Sequence, residues 1–554
     1  MEKTENETII TLLEQSIKKN WEYPALSDLN GASFQYRAVA RKIAKLHLLF
    51  EHAGIERGDK IALCGRNSAH WSVAFLGILT YGAVAVPILH EFKPDNVHHL
   101  VNHSDAKLFF VDTAIWENLD PDALQQLRGA VNIADYSLLM SRCERLSKAR
   151  ANLNRLFGEK YPERFTPADV QYVQPEDVDA MAVLNYTSGS MGFSKGVRLS
   201  YRNIWSNIRF ALDNIPYCHH GDGAICMLPM AHMFGLTFEM IHMLCHGCHI
   251  NFLTRTPSPR IIMDAFATVK PKLIITVPLI IEKIIKTKVF PMLEKPVMKM
   301  LLHVPFVDDK LLGKIKDKLT ETFGGNLEQL VIGGAGLNVD VETFLRRIKF
   351  PFTVGYGMTE CAPLITYARW DIQRSQSCGK IVDRMEARID SPDPTTTPGT
   401  LWVRGDNVML GYYKNPEATA ETIVDGWMNT GDICQRDADG FFYIRGRDKS
   451  MILGPSGQNI YPEEIEQRIN NMPYVGESLV VDRGGKLMAL IHPDFDAAAA
   501  ANISTDAIEA LMNDNIKQVN TELPAYSQIA SVKLYQEEFE KTPKRSIKRY
   551  LYKD

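Results

Sequence analysis

The stretch Tyr186-Thr-Ser-Gly-Ser-Met-Gly-Phe-Ser-Lys-Gly-Val197 follows an apolar, strand-like run, Ala180–Leu184. Hydroxyls at Thr187, Ser188 and Ser190 alternate with Gly189, Gly192 and Gly196, and Lys195 closes the loop. Glycines let backbone N–H groups approach an anion, hydroxyls donate further hydrogen bonds, and a lysine adds a point charge. The spacing G-x4-G-K-[ST] of the Walker A loop is absent. Taken alone, the run is also compatible with a plain Ser/Gly turn.

Outward from this loop, helix and strand patterns alternate. Phe34–Ala53 reads as an amphipathic helix. Lys60–Cys64, Lys107–Val111, Leu273–Val277 and Leu330–Ile332 read as buried strands. Such alternation predicts an α/β architecture with mainly parallel sheets. The longest uncharged stretch, Asn67–His90, contains Gly77, Gly82 and Pro87. It reads as a buried helix over Trp71–Tyr81, a break at Gly82 and a strand over Ala83–Ile88, not as a membrane span. From about Gln376 to Arg445, runs such as Gly399-Thr-Leu-Trp-Val-Arg and Phe441-Phe-Tyr-Ile-Arg alternate with Pro/Gly/Asp turns, which predicts a small β-rich subdomain. After the polar junction Gly446-Arg447-Asp448-Lys449, enough chain remains for a compact α+β domain.

Composition narrows the classes. The 554 residues carry 62 Lys+Arg against 66 Asp+Glu, a formal charge of −4, with 45% hydrophobic residues. This is ordinary for a globular protein and exceeds one hydrophobic core. The balance argues against a nucleic-acid partner, which would call for a basic patch. Nine cysteines, mostly inside apolar runs, read as reduced, buried thiols of a cytoplasmic protein. Cys245-His246-Gly247-Cys248-His249 matches a haem-attachment pattern, but its apolar surroundings read as packed core. The acidic, polar N-terminus lacks the form of a signal peptide. The segment 281–320 carries nine lysines against five acids among apolar groups; it reads as a solvated helical face or as a peripheral membrane contact.

The loop closely resembles the phosphate loop of adenylate-forming enzymes, and further blocks follow in the same order. Pro229-Met-Ala-His-Met-Phe-Gly235 resembles that family's aromatic-core block. Gly333-Gly-Ala-Gly336 and Gly355-Tyr-Gly-Met-Thr-Glu360 resemble its adenine and magnesium blocks. Asn429-Thr-Gly-Asp432 and Arg447-x-Lys449 resemble its ribose and hinge blocks, and Ser456–Glu466 the opening of its C-terminal domain. The resemblance spans about Phe34 to Arg549 and is strongest to bacterial long-chain fatty-acid–CoA ligases.

The resemblance implies an adenylating domain over 1–446, including the β-rich subdomain at about 376–445, a hinge at 447–449 and a mobile α+β cap over 450–554. It implies ATP, Mg²⁺ and coenzyme A as cofactor and co-substrates, and a fatty acid as substrate. Thr187, Ser188, Gly189, Ser190 and Lys195 would hold phosphates. Tyr356 would stack on adenine opposite Gly334 and Ala335, within the cofactor-binding run Gly355, Tyr356, Gly357, Met358 and Thr359. Glu360, with Thr187, would bind the metal. Asp432 would accept the ribose hydroxyls, and Arg447 would bridge ribose and phosphate. His232 would border the acyl and thiol sites, Lys449 would be the pivot, and Gly457 would line the thiol tunnel. On their own, Tyr356 reads as a core aromatic, Thr359 as a helix cap, and Asp432 as a turn residue.

One position departs from the pattern. The family run Thr-Pro-x-x-Lys-Ile appears as Thr542-Pro543-Lys544-Arg545-Ser546-Ile547, with Ser546 where the adenylating lysine is expected. Lys544 or Lys548 compensates, or adenylation is slow while thioester formation survives, or the chain is an inactivated homologue that binds acyl groups or adenylates. The resemblance also leaves open a fatty acyl-AMP ligase or an acyl-carrier-protein synthetase.

Overall fold

A computed structural model describes residues 7–187, 195–254, 258–302, 307–453, 459–542 and 547–552. The fold is mixed α/β. An eight-stranded sheet runs in the spatial order Gly411–Tyr412, Lys195–Ser200, Met181–Thr187, Val84–Ile88, Lys60–Cys64, Leu108–Val111, Gly129–Asn132 and Leu138–Ser141. From Met181–Thr187 to Gly129–Asn132 its neighbours are parallel; both ends are antiparallel. The loop quoted above thus joins two antiparallel strands next to the parallel centre.

The uncharged stretch resolves into a helix, Ala69–Tyr81, and a strand, Val84–Ile88. Ser68 caps the helix by accepting from Trp71 N at 3.1 Å, and Gly82 ends it in the left-handed region at φ 91°. The helix is apolar on all faces because neighbours cover all of them; Trp71, Phe75 and Leu79 lie in the large core. Among the described residues, no helix is long and apolar enough to cross a membrane.

A second parallel sheet, Leu273–Thr276, Gln329–Ile332 and Phe352–Val354, has its own core around Phe266, Phe323 and Leu345. Downstream, the strands Met385–Asp390, Gly399–Gly405, Trp427–Arg436 and Phe442–Arg447 pair antiparallel. Beyond Arg447, the sheet Val475–Arg483, Lys486–Pro493 and Ile529–Leu534 packs on the helices Pro462–Ile469 and Thr505–Glu522 around Ile465, Ile491 and Met512.

Three local expectations change. The helix expected from Phe34 begins at Tyr36, because Ser33–Gln35 pairs as a strand with Pro24–Asp28. The lysine-rich segment breaks into Pro278–Ile284, a π-helical turn at Ile285–Val289, Phe290–Leu293, Pro296–Leu301 and Val307–Thr322. Pro291 and Pro296 lack the N–H that a continuous helix would need there. Finally, Thr359 opens a one-turn 3₁₀ segment but does not cap it: Met358 holds the cap position.

Gly82→Ala should lower stability by about 1–2 kcal/mol, the cost of left-handed backbone for an L side chain. The check is a downward shift of the thermal transition. An unchanged midpoint would contradict the role given to this cap.

Candidate active site

The antiparallel pairing of Met181–Thr187 with Lys195–Ser200 sets Thr187 opposite Lys195, and Thr187 Oγ1 donates to the Lys195 carbonyl at 3.4 Å. Ser188, Gly189 and Ser190 lie outside the described residues, as do Gly457, Lys544 and Ser546. The short strand Gly411–Tyr412 pairs on the other side of Lys195–Ser200, with Tyr412 opposite Val197. Lys195 Nζ lies 4.7 Å from the Tyr412 ring centroid, and the Tyr412 hydroxyl donates to Glu360 Oε1 at 3.0 Å. Burial and the Glu360 charge hold the Tyr412 phenol well above its ordinary pKa, so it stays a donor.

Glu360 is buried within the turn Thr359–Cys361. Asn207, fully buried on the helix Tyr201–Asn214, donates to the Cys361 carbonyl at 3.1 Å and accepts from Leu364 N at 2.9 Å. Met409 N donates to the Glu360 carbonyl at 2.8 Å, joining this turn to the strand that bears Tyr412. The carboxylate is a hard oxygen donor, and among the described residues it has no cation paired to it. It therefore fits one protein ligand of a magnesium ion whose other ligands are waters and phosphates.

A second cluster forms around Asp432. This residue is buried inside the strand Trp427–Arg436, directly opposite Arg447. Arg447 Nε lies 3.0 Å from Asp432 Oδ1, and Tyr356 Oη donates to Oδ2 at 2.5 Å. Burial raises the Asp432 pKa above the usual aspartate value, while Arg447 opposes the rise. The same burial, with the Asp432 charge, pushes the Tyr356 phenol up. Tyr356 is half-buried and Arg447 is exposed, so the carboxylate sits beneath two polar groups at the surface.

The two glycines beside Tyr356 differ in how tightly they are packed. A Cβ at Gly357 would stand 2.1 Å from the Pro363 carbonyl oxygen, and one at Gly355 would stand 3.4 Å from that of Thr366. At Gly357 the close approach of the Pro363 carbonyl excludes a side chain, whereas at Gly355 the spacing is ordinary van der Waals contact. By contrast, Gly334, at φ 88°, meets only Val277 Cγ1 at 3.7 Å, and Gly336 faces open space. The neighbouring Gly333 would clash with the Phe234 ring.

His232 is half-buried in the turn after Pro229. Three residues that carried no motif hold this turn, Asn185 and Glu239 buried and Asn67 half-buried. Asn185 Nδ2 donates to the Ala231 carbonyl at 2.9 Å. Asn67 donates to the Leu228 carbonyl at 2.7 Å and accepts from Met230 N at 2.9 Å. Glu239, in the π-helical turn Gly235–Ile241, accepts from Met227 N and Leu228 N. Burial raises the Glu239 pKa well above the usual range. The only sequence signal for Asn185 and Glu239 was a polar residue inside an apolar run. In the haem-like run, His246 Nε2 faces His242 Nε2 at 3.0 Å, and His249 Nε2 lies 2.7 Å from Ser27 Oγ.

Lys449 lies exposed on the turn Asp448–Ser450, just past Arg447. Residues beyond it touch the rest of the chain: Gln467 donates to the Leu337 carbonyl at 2.9 Å, Asn338 donates to Asn471, and Arg445 lies 3.5 Å from Glu464. Near the C-terminus, Lys548 Nζ lies 2.6 Å from Glu540 Oε1, and Arg549 grips Glu466 with both terminal nitrogens.

Comparisons with known proteins agree in kind. Residues 13–413 match the family described as AMP-binding enzyme, and residues 449–553 match the AMP-binding enzyme C-terminal domain. A long-chain-fatty-acid–CoA ligase of Escherichia coli is 28% identical over 86% of this chain and 83% of its own length. One from Mycobacterium bovis is 26% identical over 94% and 89%. Among solved structures, ATP-bound MatB from Rhodopseudomonas palustris superposes with a TM-score of 0.77 at 21% identity, covering 99% of this chain and 98% of its own. The AMP complex of O-succinylbenzoate coenzyme A synthetase from Bacillus subtilis gives 0.73 at 19% identity, with 98% of each chain covered. These two structures share the fold.

Asn207→Ala should free the turn that carries Glu360 and leave two buried backbone groups unpaired, costing about 1–3 kcal/mol. Thermal melting checks it; a variant as stable as the parent would show that the turn holds itself.

Proposed function

The chain belongs to the AMP-binding enzyme family, and we propose that it activates a long-chain fatty acid with ATP and passes the acyl group to coenzyme A. The observation that carries this reading is Lys195 against the ring face of Tyr412 and Glu360 at its hydroxyl, with Glu360 close enough to the Asp432–Arg447–Tyr356 cluster for their charges to interact. One cation, one hard carboxylate and one ribose acceptor are what a nucleoside triphosphate and its ion require. Support for the acid and the thiol comes from the relatives, whose names specify long-chain fatty acids and coenzyme A.

In this reading, a fatty carboxylate attacks the α-phosphate and pyrophosphate leaves; a thiol then attacks the acyl-adenylate and AMP leaves. Thr187, Ser188, Gly189, Ser190 and Lys195 hold the phosphates, and Thr359 bonds the α-phosphate. Mg²⁺, held by Glu360 with Thr187, would neutralise phosphate charge during the displacement. Asp432 accepts the ribose hydroxyls in place of the Tyr356 and Arg447 contacts, and Tyr356 faces the adenine with Gly334 and Ala335. The region after 447–449 pivots at Lys449 between the two half-reactions, and Gly457 and His232 border the path of the thiol. The two conformations serve one purpose: each excludes water from a different reacting pair.

The cation near Ser546 matters most to the first half-reaction. Lys548 is paired to Glu540, which favours slow adenylation over compensation by that lysine. Acid-dependent pyrophosphate exchange should rise in Ser546→Lys by about 100-fold or more, the usual effect of one transition-state donor. Equal rates would mean that the charge comes from elsewhere. The acceptor is tested by supplying coenzyme A or an acyl-carrier protein and detecting the thioester. A thioester formed on the carrier alone would transfer the proposal to the acyl-carrier-protein synthetases.

Asp432→Asn should weaken AMP binding by about tenfold or more, the loss of hydrogen bonds to a charged acceptor. Isothermal titration measures it, and unchanged affinity would remove Asp432 from the ribose site. The pH dependence has a defined sign. A carboxyl whose folded pKa is raised takes up its proton at higher pH than a free aspartate, so AMP binding should fall on acidification before the ordinary aspartate range is reached. The raised pKa also makes the Asp432 contribution to stability less favourable as pH rises through that window, a dependence absent from Asp432→Asn.

We further propose a cytoplasmic protein that touches membrane surfaces through 281–320 and the residues just before it. Leu279, Val297 and Met300 are exposed there beside the exposed Lys283, Lys288 and Lys295. Vesicles containing anionic lipid should retain the chain at low salt; failure to do so would end this part of the proposal.

A further inference from the structure

We infer that Tyr412 is a positioning residue that keeps Lys195 and Glu360 from neutralising each other, an assignment that rests on the reading of the site given above. A lysine and a buried carboxylate in one cleft attract strongly, and a direct ion pair would leave neither free for a nucleotide and its metal. Here both charges meet the same side chain instead. The ammonium lies against the ring face at 4.7 Å from its centroid, and the carboxylate takes the hydroxyl at 3.0 Å. Among the described residues, the side-chain contacts of Lys195 and Glu360 are those to Tyr412, and neither enters an ion pair.

The two contacts are chemically unequal. A cation on a ring face keeps its full charge and its outward N–H donors. A carboxylate that accepts one phenol hydrogen bond keeps its second oxygen for another partner. Tyr412 thus holds each group in place and leaves it open on the side away from the ring. A phenylalanine would supply only the face, and a leucine would supply neither contact.

The ring is built into this position. Tyr412 stands opposite Val197, so Lys195, two residues along, is its diagonal neighbour on the same sheet face. Tyr412 is buried, and its backbone N–H donates to Thr419 Oγ1 at 2.9 Å. Gly411, at φ 120°, lies where a Cβ would strike Thr419 Cγ2 at 2.6 Å, so the strand presses onto the helix Pro416–Thr422. Glu360 is brought to the hydroxyl by the Met409 N bond to its carbonyl at 2.8 Å.

The test uses the full chain, a non-hydrolysable ATP analogue and Mn²⁺ as a paramagnetic probe. In Tyr412→Phe, the analogue should bind without metal within about twofold of the parent, because the ring still holds Lys195. Mn²⁺ binding to the analogue complex, read by electron paramagnetic resonance, should weaken by about tenfold, the size of one hydrogen bond to a charged group. In Tyr412→Leu, metal-free analogue binding should also fall by about tenfold or more, because Lys195 then pairs with Glu360. That split between the two variants is what a merely structural residue would not produce. If the parent binds the analogue and both variants weaken it equally, or neither differs from the parent, the inference is overturned. Should Tyr412→Leu fail to fold, unchanged Mn²⁺ affinity in Tyr412→Phe overturns it alone. A parent chain that binds no analogue overturns the reading of the site, and this inference with it.

Discussion

The antiparallel ladder between Met181–Thr187 and Lys195–Ser200 constrains the part of the candidate site that gathers Thr187, Lys195, Tyr412 and Glu360. It closes a Ser/Gly loop at a point where Thr187 and Lys195 face each other. It also offers an outer edge on which Gly411–Tyr412 can pair. That third strand carries the aromatic ring that meets Lys195 and the hydroxyl that meets Glu360. The turn bearing Glu360 is then held from behind by Asn207 and from the side by Met409. Elements more than 200 residues apart in sequence thus converge because one edge strand bonds to one loop strand.

A second constraint is independent of the first. Asp432 and Arg447 are cross-strand neighbours in an antiparallel hairpin, so the ladder itself brings their charges together. Burial makes the carboxylate costly, and Arg447 with Tyr356 offsets that cost. A ligand that supplies two hydroxyls can take over these contacts at little loss. Since Arg447 ends the strand from which the chain leaves for its last region, exchange at Asp432 is adjacent to the turn at Lys449.

Much of this was legible in the sequence, for definite reasons. The buried strands and the helix Ala69–Tyr81 were readable because each combines continuous apolar character with a Gly break or a cap. The Ser/Gly loop stood out because Gly and hydroxyl spacing is a local property, whereas the roles proposed for Glu360 and Asp432 rest on the resemblance of their blocks. Tyr412 was not legible: its role depends on which strand pairs with which, and Gly411-Tyr412 carries no local mark of that. Asn67, Asn185, Asn207 and Glu239 were missed for the same reason, since each acts on backbone groups that only the folded chain brings to it. Gly357 shows the same limit: a sequence shows that a side chain is absent, not that the Pro363 carbonyl leaves no space for one.

The central claim is that a carboxylate oxygen attacks the α-phosphate and later departs with AMP. A fatty acid labelled with ¹⁸O in its carboxylate, incubated with the chain, ATP, Mg²⁺ and coenzyme A, tests it directly. Mass spectrometry of the products should find one ¹⁸O in AMP for each acyl thioester formed. Thioester accompanied by unlabelled AMP, or by label in inorganic phosphate, would contradict the account.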